Sequence, residues 1–415
     1  REVRRKMKLT KEEKNWILYD VGNSAFTLLI ATIMPLYFNY LAEQAGLSSV
    51  DYLAYWGYAA SVATLFVVFI GPVFGTLADT KGFKKPVFSV ALAVGAAACV
   101  LMGFAKQWLV FLVIYVIAKT GYSASLIFYD SMLADVTTAE RMDQVSSQGY
   151  AWGYIGSCVP FVVCLMIVLG AGKLGISMEL AMGISFFVTA AWWVLMTYRQ
   201  KNYVERKPHA FRESFARIGK TFLNVRKEKK IFLFLLAFFF YIDGVYTIID
   251  MATAYGSALG LDSTGLLLAL LVTQIVAFPC AILFGRLARR FRTEHLITVC
   301  VMAYIGIALF ACVLRTQTQF WILAIFVGMF QGGIQALSRS YYAKIIPAEQ
   351  SGEYFGLLDI CGKGASFIGT AIVSVVSQLT GDINKGVAMI VVLFVVGVVL
   401  FRIAVTCVQK NKIES

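Results

Sequence analysis

The chain reads as long apolar runs of twenty or more residues separated by short stretches rich in Lys, Arg, Asp, Asn and Gly. About 20 apolar residues coiled as a helix match the hydrocarbon thickness of a bilayer. Twelve such runs predict twelve membrane helices over roughly 16–41, 53–79, 86–105, 108–134, 147–170, 179–198, 231–258, 263–288, 295–314, 319–345, 352–380 and 386–408. A membrane β-barrel would show alternating polarity in segments of about ten residues, which this chain lacks. The pattern predicts an all-α membrane protein. It divides into a basic N-terminus (1–15), six helices (16–198), a polar linker (199–230), six more helices (231–408) and a tail (409–415).

Composition sharpens this picture. Of 415 residues, 59% are hydrophobic and 15% charged, against about 45–50% and about 25% in soluble chains. That excludes a disordered chain, a disulfide scaffold and a nucleic-acid-binding domain, and leaves a soluble part only a few dozen residues. The formal charge is +13, from 37 Lys+Arg and 24 Asp+Glu. Seven Lys/Arg lie in 1–14, three in 81–85, one in 135–146, eleven in 199–230 and four in 286–292, while the opposite loops hold only Lys106, Lys173, Arg315 and Lys385. Cytoplasmic loops carry such an excess, so both termini are expected in the cytoplasm of a cell-membrane protein. A polybasic N-terminus also suits contact with anionic lipid.

The eight cysteines fall in apolar helices without metal-ligand spacing and read as small buried hydrophobes. His209 and His295 sit at the edges of cytoplasmic segments. No A-x-A-like cleavage site follows the first run, which is too long for a signal-peptide core.

The halves repeat each other. Gly75-Thr76-Leu77-Ala78-Asp79 recurs 210 residues later as Gly285-Arg286-Leu287-Ala288-Arg289, and Ala139-Glu140 recurs 209 residues later as Ala348-Glu349. At the same spacing Asp130 falls on Arg339, Gly153 on Gly362 and Ser157 on Ser366. A six-plus-six repeat of this kind is typical of secondary transporters, which bind solute near the midplane between halves. In the linker, Phe211, Phe215, Ile218, Phe222 and Val225 mark one face of an interfacial helix; a calmodulin-type target would look similar.

The segment from Gly75 to Lys85, with Asp79, Gly82, Phe83 and Lys84, resembles the cytoplasmic signature of the major facilitator superfamily. Gating explains its chemistry: glycines allow a tight turn, Asp79 suits a helix N-terminus or an Arg across the halves, and the lysines suit the headgroups. Thr80 departs from the basic residue usual there. In the second copy Arg289 replaces the Asp and the second Gly is missing, so an asymmetric gate is expected. A finer resemblance is to the fungal vacuole-effluxer family, implicated in amino-acid release, and its bacterial relatives. It rests on Asp20-Val21-Gly22-Asn23-Ser24-Ala25-Phe26, on Gln331 through Ser340, on Pro347 and on Gly352 through Leu357. The resemblance implies two pseudosymmetric six-helix bundles whose first, fourth, seventh and tenth helices line a central cavity.

Charge within a bilayer costs free energy, so each intramembrane ionisable group is a functional candidate. For solute or proton coupling these are Lys119 on the fourth span, with Ser123 and Asp130 on its face; Asp243 and Asp250 on the seventh; Gln331 and Gln335 on the tenth; Lys363 on the eleventh; and Asp20 and Asn23 in the first turns of the first. The gate candidates are Gly75, Asp79, Gly82, Lys84, Asp130, Arg339 and Asp359. Blander readings stand beside these. Asp359 and Lys363 form a self-neutralising pair at i, i+4, Asp20 only caps its helix, and the glutamines only join helices. Trp152, Tyr154, Tyr241 and Tyr246 read more simply as packing.

The expected function is secondary-active transport of a small organic solute by alternating access. Lys119 would meet a carboxylate and Asp243 an ammonium, which favours an amino-acid-like zwitterion. Protonation of buried Asp243 or Asp250 would couple transport to a proton gradient, since desolvation favours the neutral acid. Another ion is the alternative. An exporter of amphipathic compounds or lipids is a second reading, favoured by 14% aromatic residues, and a non-transporting receptor or scaffold is a third. No nucleotide loop, metal cluster or nucleophile–His pairing points to an enzyme. The expected partners are solute, coupling ion and membrane lipid, with no nucleic acid and no cofactor, for a monomer.

Overall fold

A computed structural model describes residues 9–47, 49–80, 82–198, 225, 228–259, 261–380 and 383–413. Among them there are helices and no β-strand. The predicted linker helix apart from Val225, and the side chains of Asp79 and Lys363, lie outside the described residues. Among the described residues ten helices are long and apolar enough to cross a membrane. Ser49–Asp79 and Ser351–Thr380, which supply the second and eleventh spans, complete the series.

Local chemistry sets the ends. The first span starts at Lys11 because Thr10 accepts from the Glu13 N–H while Glu13 accepts from the Thr10 N–H, a closed capping box. It breaks between Ala31 and Ile33, then runs on to Gln44. Pro35 explains the break: it has no N–H for the carbonyl four residues back. The tenth span, Gln317–Ile345, opens on a second capping box, Thr316 with Gln319. Ser177 caps the sixth (Met178–Thr197) and Asp262 the eighth (Ser263–Leu287).

Packing repeats with the sequence. The first span lies against the fifth (Met142–Leu169) and sixth; the second against the fourth (Trp108–Ser131); the third (Lys84–Met102) against the fourth and sixth; the fifth against the sixth. Six spans later the same pairings recur. The seventh (Lys229–Ala258) lies against the eleventh and twelfth (Ile383–Ile413), the eighth against the tenth, the ninth (Thr293–Ala311) against the tenth and twelfth, and the eleventh against the twelfth. Between the halves the fifth span meets the eighth and tenth, and its counterpart, the eleventh, meets the second and fourth.

The repeated glycines explain these crossings. A Cβ at Gly75 would come within 2.6 Å of the Gly352 carbonyl oxygen, and one at Gly285 within 2.6 Å of the Ser147 Cβ. Only glycine lets the second span touch the eleventh, and the eighth the fifth, that closely. Gly82 takes φ +78° in the turn after the second span, as the tight-turn reading expects.

Candidate functional site

Gln331, Gln335 and Arg339 form one stripe of the tenth helix, with Gln331 and Arg339 buried and Gln335 half-buried. Arg339 lies six residues from the helix end, roughly 9 Å at 1.5 Å per residue. Its chain end of the bundle carries the loops after the second, fourth, eighth and tenth spans and is termed the basic end below. Only 4% of Arg339 is exposed, so its charge has to be answered locally. It donates to Asp20 at 3.0 Å and to Asp130 at 3.2 Å. It also donates to the Ser146 hydroxyl at 2.9 Å and carbonyl at 3.0 Å. The rings of Tyr150, Trp16 and Tyr129 lie 4.2, 4.7 and 5.7 Å from the guanidinium, which adds cation–π attraction. Three helices of one half thus grip one residue of the other.

Asp130 and Arg339, equivalent positions in the repeat, therefore face each other where the halves meet. Asp20 belongs to this node and is not a cap. The capping residue is Thr10, because the helix begins five residues earlier than the apolar run suggests. Asn23 donates to Asp20 at 3.4 Å.

Closer to the basic end a second layer joins the halves. Asp143, on the fifth span, accepts from Lys344 and Ser340 of the tenth and from Thr293 at 3.0 Å. Ser351 donates to the Ser131 carbonyl at 3.2 Å. Lys84 belongs to the N-terminal half alone. It is buried and pairs with Asp135 at 3.0 Å, so it does not extend to the headgroups as the signature suggests. Its repeat equivalents are Thr293 and Lys344, 3.5 Å apart. A lysine standing where the first half has Asp135 is therefore free to cross to Asp143. Glu13 ties the start of the first span to Arg141, at 2.7 and 2.8 Å, and to Thr137 at 2.8 Å. Sequence reasoning missed this layer, although the repeat spacing marks Asp135 and Lys344 as counterparts of opposite charge.

Deeper in the bundle the polar groups are less satisfied. Tyr154 of the fifth span donates to Gln335 at 3.0 Å. Asp243 is fully buried; its Oδ1 accepts from the Gly369 N–H at 2.9 Å and from Thr247 at 3.2 Å, while Oδ2 has no partner among the described residues. Gly369 has to lack a side chain, since a Cβ there would overlap Asp243 and Thr247. Ser123 Oγ and Gln331 Oε1 are likewise buried without partners. Lys119 is half-buried with its ammonium 5.8 Å from the Tyr115 ring centre, and makes no ion pair among the described residues. Tyr246 lies within electrostatic reach of Tyr122, Tyr150, Asp130 and Asp359.

The structure brings Asp20, Asn23, Asp130 and Arg339 together and links Gln335 to Tyr154. It does not pair Lys119 with Asp243. Asp250 is exposed, so the burial argument for proton coupling applies to Asp243 alone. Among the described residues no three His, Cys, Asp or Glu gather as metal ligands.

Residues 9–414 match the family described as "Vacuole effluxer Atg22 like". The chain belongs to the vacuole effluxer family. A relative in Bacillus subtilis (strain 168), the MFS-type transporter YxiO, is 41% identical over 404 residues, covering 95% of this chain and 94% of that protein. Autophagy-related protein 22 of Cryptococcus neoformans var. neoformans is 27% identical over 315 residues, 69% of this chain but 54% of that one. This effluxer-family chain thus spans about half the length of its fungal relative. Two solved structures share the fold. The human organic anion transporter MFSD10 has a TM-score of 0.70 at 14% identity over 94% of this chain and 100% of that one. The E. coli fucose:proton symporter FucP has a TM-score of 0.70 at 15% identity, over 95% and 97%. The protein is a multi-pass membrane transporter with the major facilitator fold.

Proposed function

We propose that this family member is a secondary-active carrier that moves a small, amino-acid-like solute by alternating access, with its basic end in the cytoplasm of a cell membrane. The observation that carries the reading is the gathering of polar bonds between the halves at one end, around Arg339 and Asp143. Such a latch closes one side of a central pathway and can be exchanged for an opening there when the halves rock. Charge distribution supports the orientation.

The interior supports the solute class. Ser123 Oγ, Gln331 Oε1 and Asp243 Oδ2 are polar atoms without partners among the described residues, and unsatisfied buried groups are rare unless something else binds them. Lys119, on the helix face it shares with Ser123, supplies the cation for a carboxylate. Asp243 is the coupling group, because it is a fully buried carboxylate with no ion pair among the described residues. The fungal relative's family, described as an effluxer, favours release of solute over uptake as the physiological direction.

Proteoliposomes decide between the parts of this reading. A proton gradient should drive accumulation of labelled amino acids, and Asp243→Asn should keep solute exchange while losing the gradient-driven part. Unchanged gradient-driven accumulation in Asp243→Asn rules out that coupling residue. Failure of the wild type to move any amino acid rules out the solute class.

A further inference from the structure

One cavity lies outside the pathway and the latch. It opens at the basic end, between the fifth span of one half and the eighth of the other, with a volume of about 200 Å³. Its walls are Gln144, Ser147 and Gln148 on one side and Ile282, Gly285, Arg286 and Arg289 on the other. A space of this size falls below the roughly 300 Å³ at which pockets for whole organic ligands begin, and suits a single compact group.

Charge and hydrogen bonding point to the group's chemistry. Arg286 and Arg289 are both exposed, and neither pairs with a carboxylate among the described residues. The carboxylate beside the cavity, Asp143, is occupied by Lys344, Ser340 and Thr293. Ser147, 1% exposed and lining the cavity, has a hydroxyl with no partner among the described residues. Two guanidiniums with no ion pair among the described residues, a buried orphan hydroxyl and the Gln148 amide form a donor-rich wall, the arrangement that recognises tetrahedral oxyanions. Arg289 stands where the first copy of the repeat has Asp79, so this departure from the signature acquires a role.

We infer that this crevice binds a terminal phosphate group (a phosphate monoester or free phosphate), held by Arg286, Arg289 and Ser147, which bridges the two halves at the basic end. The site lies at the last turn of the eighth helix, the depth of the lipid headgroups, so either an anionic lipid or a soluble phosphate can supply the group. Bound phosphate ties the fifth span to the eighth beside the Gly285–Ser147 contact and so holds the basic end shut. This inference stands apart from the identity of the solute.

The test is thermal unfolding of the purified full-length protein in detergent, titrated with dioctanoyl phosphatidic acid, inorganic phosphate or dioctanoyl phosphatidylcholine. Phosphatidic acid should raise the apparent Tm by mass action, and the zwitterionic lipid should not. Stabilisation by inorganic phosphate, with or without phosphatidic acid, marks a soluble-phosphate site, and stabilisation by phosphatidic acid alone marks a headgroup site. Either supports the inference provided R286Q/R289Q weakens it by roughly ten- to a hundredfold and Ser147→Ala by less. Arg290→Gln, outside the cavity, should leave it unchanged. All of these are mild changes at surface or small side chains, so folding is preserved. No stabilisation by phosphatidic acid or inorganic phosphate, or stabilisation that survives R286Q/R289Q or matches that of phosphatidylcholine, overturns the inference.

Discussion

At the scale of single residues, Arg339 concentrates the physics of this protein. Its guanidinium is buried among two carboxylates, a serine and three aromatic rings, so removing it strands Asp20 and Asp130 inside the bundle. Breaking a buried pair from one side costs about 3–5 kcal/mol. Arg339→Gln should therefore lower the detergent Tm by several degrees, and Arg339→Lys should recover only part of it, because an ammonium cannot reach both carboxylates and Ser146 at once. A Tm equal to wild type in Arg339→Gln would show that the charge is answered elsewhere. The sequence marks Arg339, Asp20 and Asp130 as costly groups in a bilayer, but not that they are one cluster. Asp20 and Arg339 are 319 positions apart, and no local pattern joins them. Asp243 was legible as a buried acid; its partners Gly369 and Thr247 were only half so, since Thr247 shares its helix and Gly369 does not.

Among the helices, small residues and crossed charges decide how the elements meet. Gly75 and Gly285 occupy equivalent positions and each lets a helix of one half touch a helix of the other. A leucine at either overpacks the crossing, at a cost of about 1–3 kcal/mol. Gly75→Leu and Gly285→Leu should both slow transport in proteoliposomes and lower Tm, by similar amounts if the two crossings are truly equivalent. A full-rate Gly285→Leu would mean the halves do not meet there during turnover. The latch between the fifth and tenth spans makes a separate prediction. Lys344→Ala leaves Asp143 with two hydroxyl donors and no cation, so the basic end should open more often. Hydrogen exchange in 138–146 and 346–352 should then accelerate relative to wild type, and an unchanged exchange pattern would assign the latch to other contacts. Helix positions followed from apolar runs, but helix ends did not. The start at Lys11 depends on the Thr10–Glu13 capping box, which lies in a polar, charged stretch that hydropathy assigns to the loop.

For the molecule as a whole, alternating access requires the basic end to part once per cycle. Ser131 and Ser351 belong to different halves and are bonded there at 3.2 Å. Joining Ser131→Cys to Ser351→Cys with a short bifunctional thiol reagent should arrest transport, and either single variant treated alike should not be arrested. Full-rate transport by the joined protein would show that the halves do not separate at this level. The sequence by itself determined the number of helices, their order and their duplication, because each follows from composition along the chain: a bilayer's thickness dictates run length, and a shared spacing exposes the repeat. Only the tertiary structure decided which charges neutralise which. Equivalent positions of a two-fold repeat are brought face to face at its axis. Asp130 and Arg339 thus became partners, whereas Lys344 crossed to Asp143 and not to its equivalent Asp135, and Lys119 and Asp243 were left unpaired among the described residues. Electrostatic energy depends on distance in space, and distance between halves is fixed by packing that no single helix encodes.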